Sequence, residues 1–72
     1  MNKVFEGEIE YDVFYYNVYG EVIWTLNQKF HRELGPAIEC LNGKNYWYWH
    51  GQPINCQTQE EFEHYLRLKA FW

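Results

Sequence analysis

The chain has little of what catalytic and metal-binding proteins depend on. It has no serine and no glycine-rich phosphate loop, and no residue constellation typical of an active site is visible. Cys40 and Cys56 are too few for a disulfide framework. His31, His50 and His64 are widely spaced and, even with the cysteines, lack the spacing of zinc ligands. We therefore expect a protein that is not an enzyme and that holds no metal or cofactor.

Positive charge is also scarce. Six lysines and arginines face ten aspartates and glutamates, which gives a net charge of −4. A nucleic-acid-binding protein needs a basic face to displace counterions, so direct binding of nucleic acid is not expected. No apolar run approaches the roughly 18 residues of a membrane span, and the first residues lack a signal-peptide pattern. These features favour a single intracellular domain over residues 1–72.

Aromatic residues are what the chain has in abundance, at 22% of its length. Each such side chain buries roughly 150–250 Å² when it is packed. That area explains how so short a chain folds without the metal or disulfides that domains below about 70–80 residues often need.

Four segments carry strand signatures. Residues 6–13 alternate with period two, which predicts a strand with an acidic face and an apolar face. Residues 21–26, 37–41 and 44–49 indicate further strands bounded by turn residues. We expect a type I′ turn at Asn42-Gly43, because both central positions of that turn need positive φ. The segment 31–36 predicts an ordered loop, because its closing Gly-Pro removes a ladder donor.

The last part of the chain changes to helical spacing. Thr58 and Glu61 form a capping-box pattern, and apolar residues then recur along one stripe from Phe62. A helix over 58–70 must cover something, and the sheet is the available surface. The predicted fold is mostly β (α+β): an antiparallel β-meander of four to five strands over 1–54, with one C-terminal α-helix packed on one face.

A shift of 23 residues aligns two halves of the meander, with Trp24 on Trp47 and Asn27-Gln28 on His50-Gly51. The stretch 31–37, His-Arg-Glu-Leu-Gly-Pro-Ala, resembles the His-Arg-x-x-Gly-Pro-Ala repeats of small phage proteins, which are similar to MORN-type β-hairpin repeats. The resemblance implies a curved β-meander with a terminal helix, and it places the protein in the cytoplasm of a bacterial host.

Two features of the sequence point to a binding surface. The acidic side chains of the first strand form a row that either is solvated or mimics phosphates for a basic groove; they are Glu6, Glu8, Glu10 and Asp12. Because a helix covers only one face, some aromatics are expected at a partner interface unless both faces are buried. The candidates are Tyr16, Tyr19, Trp47 and Trp49.

The loop that carries the motif has a structural interpretation. His31, Arg32, Gly35 and Pro36 are expected to brace it, with Arg32 pairing with Glu33 or Glu39 and His31 bonding a carbonyl. Binding of a ligand by His31 and Arg32 is the less favoured interpretation.

Together these features predict a non-enzymatic protein-binding module. The resemblance favours a phage-encoded inhibitor of a host defence factor, including a nucleic-acid-handling one such as a CRISPR effector. An aromatic pocket that sequesters a signalling nucleotide is the alternative, with Lys29, Arg32 and Lys44 as the cations best placed to meet phosphates. A self-assembling structural repeat, with a possible homodimer, is the third hypothesis.

Overall fold

The computed structural model describes residues 2–16 and 20–69. Within them, seven strands and one helix follow in order. They are β1 (Asn2–Glu6), β2 (Ile9–Tyr16), β3 (Glu21–Leu26), β4 (Lys29–Phe30), β5 (Ile38–Glu39), β6 (Asn45–Trp49), β7 (Gln52–Ile54) and α1 (Gln59–Lys69). The strands form one sheet in the order β1-β2-β3-β5-β6-β7, and β4 pairs with β3. The predicted fold class is confirmed, with more strands than the four to five expected.

The N-terminal hairpin accounts for part of that difference. Residues 6–13 are not one strand, because Gly7 and Glu8 form a two-residue turn between β1 and β2, with Glu6 opposite Ile9. Gly7 has a φ of 64°, which suits the first central position of a type II′ turn. Glycine and glutamate fit an alternating pattern as well as a turn, so period two alone does not locate the break.

Two further hairpins turn on pairs of residues with positive φ. Asn27 and Gln28 have φ values of 53° and 66° between β3 and β4, and His50 and Gly51 have 47° and 87° between β6 and β7. Positive φ at both central positions is the geometry of a type I′ turn, which matches the right-handed twist of the flanking strands. Three of these four residues carry side chains in this conformation.

The hairpin predicted at Asn42-Gly43 is present between β5 and β6, but its turn is not type I′. Gly43 has a φ of 90°, but Asn42 is not among the described residues with positive φ. The Gly43 N–H donates to the Cys40 carbonyl over 3.0 Å, and the Asn42 side chain accepts from the Lys44 N–H over 3.0 Å. The Cys40 N–H donates to the Lys44 carbonyl over 3.0 Å, which closes a three-residue loop over 41–43 in which glycine alone takes the left-handed position.

The sheet has an inner face and an outer face, which are defined by the pairing of its strands. Tyr11 and Val13 lie on the inner face with Trp24, which is directly opposite Val13. Trp47 and Ile54 share this face at the other end of the sheet, where Phe62 of α1 packs against both. The helix thus covers one face, as predicted, and burial of these apolar side chains stabilises the contact.

The N-terminus of α1 is capped as its sequence predicts. The Thr58 hydroxyl accepts the Glu61 N–H over 3.1 Å, and the Glu61 carboxylate accepts the Gln57 N–H over 2.9 Å. Both contacts satisfy N–H groups that the helix itself leaves unpaired. The described helix has 11 residues, and in the described part of the chain no helix is long and apolar enough to cross a membrane.

The two edges of the sheet differ in what they expose. β1 forms one edge with five residues, and β7 forms the other with three, including Pro53. Pro53 lies opposite Tyr48, next to the Trp49–Gln52 pair that closes the two-residue turn. Backbone bonding alternates along a hairpin, so the nitrogen of Pro53 points away from β6 and offers no donor.

Candidate binding face

The loop after β4 is held on the inner face by Arg32. Its guanidinium donates to the two carboxylate oxygens of Glu6 over 2.9 and 2.6 Å and also donates to Glu39. It lies over the Trp24 ring, 3.7 Å from the centroid. Burial alone lowers the pKa of Arg32, but the carboxylates of Glu6 and Glu39 outweigh it and raise that pKa. The expected partner Glu39 is observed, whereas the pairing with Glu6 was not predicted.

Gly35 leaves the space that Arg32 occupies. A Cβ at this glycine would lie 2.7 Å from Arg32 Cζ and 2.8 Å from its Nη1. The Pro36 carbonyl accepts from the same Nη1 over 3.3 Å, so the guanidinium has little freedom to move aside. The glycine and proline of the motif therefore position the arginine, which supports the predicted bracing role of the loop.

His31 is fully buried and joins the loop to a hairpin. Its Nδ1 accepts the His50 N–H over 2.9 Å, so the expected bond to a carbonyl is wrong. Its Nε2 lies 3.5 Å from Glu33 Oε2, and its ring stacks on that of His50 with centroids 4.1 Å apart. Burial first, and the charge of His50 second, lower the pKa of His31, so the buried imidazole is held neutral.

Two more contacts connect the loop to the strands and the helix. The Glu33 N–H donates to the Tyr11 hydroxyl over 3.2 Å, and burial raises the pKa of that tyrosine. The Trp47 indole donates to Gln59 over 2.8 Å, and the Gln59 amide donates to the Glu33 carbonyl over 3.1 Å. Loop, sheet and helix are thereby fastened on the inner face by hydrogen bonds as well as by packing.

The inner face overturns one of the expected partner-binding residues, Trp47, and partly covers another, Trp49, whose role stays a prediction. Trp47 is only 4% exposed, because Phe62 and Ile54 cover it. Trp49 is half-buried, and its ring meets His31 at 4.6 Å and Phe62 at 6.5 Å between centroids. Both tryptophans alternate onto the face that the helix covers, and the sequence did not reveal which face that was.

The predicted acidic row is interrupted by the hairpin. Glu6 points to the inner face and is held by Arg32, and Glu8 lies in the turn. Asp12 is on the outer face, where its carboxylate lies 3.2 Å from the ammonium of Lys3. Glu10 lies on the same face as Asp12 and is exposed, with no ion pair among the described residues.

The outer face carries an apolar row that no described element covers. Phe14 lies opposite Ile23, Ile23 opposite Ile38, and Ile38 opposite Tyr46, so the row crosses β2, β3, β5 and β6 in register. Phe14, Ile23 and Ile38 are half-buried by their neighbours, and Tyr46 is 47% exposed. With strands about 4.8 Å apart, the row spans roughly 14 Å.

Further aromatics surround this row. Tyr16, a predicted partner-binding residue, lies on the outer face and is 51% exposed. Phe30 and Tyr48 meet at 5.1 Å between centroids on the same face. Tyr19, another predicted partner-binding residue, lies outside the described residues.

The alternation of residues within one strand does not predict this apolar row, because the row is formed by pairing between strands. In the strand 21–26 the sequence places Trp24 on one face and Ile23 on the other, without indicating which neighbours Ile23 has. The pairing of the short strand β5 was the missing signal, because it places Ile38 between Ile23 and Tyr46.

An open groove of about 540 Å³ lies at the ends of β6 and β7. Among its described lining residues Lys44 is the basic one, and Tyr46 and Cys56 also contribute. Burial raises the pKa of the Cys56 thiol, and the charge of Glu61 raises it further, so the thiol stays protonated at neutral pH. Over residues 2–16 and 20–69, no three histidine, cysteine, aspartate or glutamate side chains converge as a metal site would need.

Comparison of the chain with known protein families, with curated proteins and with solved structures finds no match.

Proposed function

We propose that this chain is a non-enzymatic protein-binding module that binds its partner through the outer face. The observation that carries the proposal is the uncovered row of Phe14, Ile23, Ile38 and Tyr46, in register across four strands. On the inner face the helix packs on Trp47 and Ile54, and Arg32 of the loop lies over Trp24. No described element packs over the outer-face row, in which Tyr46 is about half exposed.

The residue types on this face favour a protein as the occupant. Contiguous exposed apolar surface on a small domain marks interaction sites, and tyrosine is enriched among the residues that dominate binding energies. Tyr16 and Tyr46 are about half exposed, and each presents a ring with a hydroxyl that is free to bond a partner. Hydrogen bonds and packing hold the inner face in place, so binding at the outer face costs little conformational entropy.

The biological setting remains the one that the motif at 31–37 implies. On that resemblance we propose a phage-encoded inhibitor that binds a host defence factor, such as a CRISPR effector, in the bacterial cytoplasm. Glu6 is engaged by Arg32 and Asp12 by Lys3, so the first strands do not present a row of four free carboxylates that could mimic phosphates.

A signalling nucleotide is a weaker candidate for the occupant. Arg32, one of three cations expected to meet phosphates, is buried and held between Glu6 and Glu39. The open groove beside Tyr46 offers Lys44 as its basic residue, and one ammonium is little counter-charge for a nucleotide.

The experiment compares two matched double variants with the parent chain. The first, Tyr16→Ser with Tyr46→Ser, removes exposed rings from the outer face. The control, Tyr15→Ser with Tyr65→Ser, removes rings of similar exposure from the inner face and the helix. Tagged proteins are used to capture partners from bacterial lysate, and each captured protein is then purified and titrated against all three chains by calorimetry.

A direct partner should bind the control like the parent and should bind the outer-face variant at least about tenfold more weakly, since each lost anchor contributes about 1 kcal/mol or more. Equal affinity for the outer-face variant would overturn the proposal. Light scattering after size exclusion tests whether a second copy of the chain covers this face. A stable dimer that forms in the parent but not in the outer-face variant would show that it does.

A further inference from the structure

The inner face shows how this sheet accommodates an arginine. The guanidinium carbon of Arg32 lies 3.7 Å from the centroid of the Trp24 ring, and the guanidinium also contacts the carboxylates of Glu6 and Glu39. An aromatic face stabilises a cation, and a carboxylate beside the ring fixes the direction of the planar fork. Ring, carboxylate and guanidinium together form one recognition unit.

On the outer face, an aromatic ring lies next to a carboxylate at two places. Phe5 on β1 is directly opposite Glu10 on β2, and Phe5 is 70% exposed. Tyr16 on β2 is directly opposite Glu21 on β3, and Tyr16 is half exposed. Side chains directly opposite one another in an antiparallel pair are about 5 Å apart at Cβ, so each ring and its carboxylate can contact one group.

Neither pair holds a cation in the described part of the chain. The nearest lysine in sequence to Phe5 is Lys3, and its ammonium is engaged by Asp12 at 3.2 Å. The cation–ring contacts in the described residues join Arg32 to Trp24 and Lys69 to Tyr65. Neither Glu10 nor Glu21 takes part in an ion pair there.

We infer that the pairs Phe5–Glu10 and Tyr16–Glu21 are two subsites for arginine side chains of the protein partner. The inference rests on the proposed function and specifies the chemistry of that partner. Arginine fits better than lysine, because a planar guanidinium stacks on a ring and bonds a carboxylate through two donors, as Arg32 does.

The geometry of β2 sets the distance between the two subsites. Glu10 and Tyr16 are both on the outer face of this strand, separated by six residues, or about 20 Å at about 3.4 Å per residue. Asp12, which is paired with Lys3, and Phe14, at the end of the apolar row, lie between them on this face. The partner surface therefore has an apolar group opposite Phe14 and an arginine on each side, and the net charge of −4 favours such a basic surface.

The probe is a synthetic peptide, acetyl-Arg-Thr-Val-Thr-Val-Thr-Arg-amide, titrated into the isotope-labelled chain. In extended form it places both arginines and both valines on one side, with the arginines about 20 Å apart. A matched peptide carries citrulline at both ends, which keeps the shape and removes the charge. Backbone amide shifts in NMR spectra report where each peptide binds.

The arginine peptide should shift the amides of β1, β2 and β3 around the two subsites, and the citrulline peptide should bind at least about tenfold more weakly. Glu10→Gln and Glu21→Gln should each weaken the arginine peptide about three- to tenfold, and more at low salt than at high salt. Glu60→Gln, an exposed helix carboxylate outside the outer face, is the control and should bind within about twofold of the parent.

Equal binding of the citrulline peptide, or shifts confined to other surfaces, would overturn the arginine subsites. The proposed function has its own separate readout. A partner whose affinity drops with the Tyr16 and Tyr46 serine variant but not with Glu10→Gln or Glu21→Gln would leave the binding face in place and remove the arginine subsites alone.

Discussion

The backbone N–H of His50, in the turn between β6 and β7, donates to the buried Nδ1 of His31 over 2.9 Å. This bond requires Nδ1 to carry no proton, so the turn is fastened only while the imidazole is neutral. The surrounding groups are Glu33 near Nε2, the rings of Tyr11 and Trp49, and the stacked ring of His50.

The first prediction concerns acid stability. The pKa of His31 is lowered in the folded state, mainly by burial, so the unfolded chain binds the extra proton more readily. The stabilisation is complete above the unfolded value of about 6.5 and is lost as the pH falls through the folded pKa, by at most about 1.4 kcal/mol per pH unit for one proton. Urea titrations between pH 7.5 and 5 measure it.

The control for acid stability is another histidine of the same chain. His64→Gln, on the exposed side of α1, should keep the pH dependence of the parent. His31→Gln should have a lower free energy of unfolding at pH 7.5. Between pH 6.5 and 5 that free energy should depend on pH much less than in the parent. If the pH dependence of the free energy of unfolding is unchanged in His31→Gln, groups other than His31 cause it.

The second prediction concerns Arg32. Its side chain is 13% exposed, and Arg32→Met would leave the carboxylate of Glu6 without its partner. Breaking such a pair at one side leaves an uncompensated charge, so we expect the free energy of unfolding to fall by about 2–4 kcal/mol. Arg67→Met, on the exposed side of the helix, should change it by less than about 0.5 kcal/mol. Chemical denaturation at neutral pH measures both.

The third prediction concerns the space at Gly35. Gly35→Ala places a Cβ within 2.7 Å of Arg32 Cζ, and we expect a loss of about 1–3 kcal/mol. In the Arg32→Met background the obstruction is a flexible thioether, so the same substitution should cost at least about 1 kcal/mol less. A double-mutant cycle measures this coupling, and strict additivity would contradict the contact between Gly35 and Arg32.

The fourth prediction concerns Gln59, which joins the helix to β6 and to the loop. Gln59→Ala leaves the indole N–H of buried Trp47 and the carbonyl of Glu33 without these partners, so we expect a loss of about 1–3 kcal/mol. Gln52→Ala, an exposed glutamine on β7, is the matched control and should be near neutral. The loss should also appear as faster hydrogen exchange at the N-terminal end of α1.

Features with local causes were predictable from the sequence. The strand Glu21–Leu26 was predicted with its observed bounds, because turn residues stand on both sides of it. The helix was predicted close to Gln59–Lys69, because the Thr58 and Glu61 cap is local chemistry. Both depend on interactions within a few residues, which a single sequence displays.

Features with distant causes were not predictable. The contact between Arg32 and Glu6 joins residues 26 positions apart, and it removes Glu6 from the expected acidic face. Alternation separates Trp47 from Tyr48 and Tyr46, but it does not say which set the helix will cover. For this reason Trp47 lies in the core, whereas Ile23 and Ile38 lie on the outer face with the exposed Tyr46.

The unlike edges of the sheet limit how copies of this chain can join. Polymerisation by strand addition requires every molecule to offer two acceptor edges, one for each neighbour. Pro53 has no N–H, so β7 lacks a hydrogen-bond donor on its outer edge, whereas β1 keeps the N–H and C=O groups that point away from β2. Edge-to-edge association therefore ends once two β1 strands have met, and the molecule is protected from fibre growth by a single imino acid.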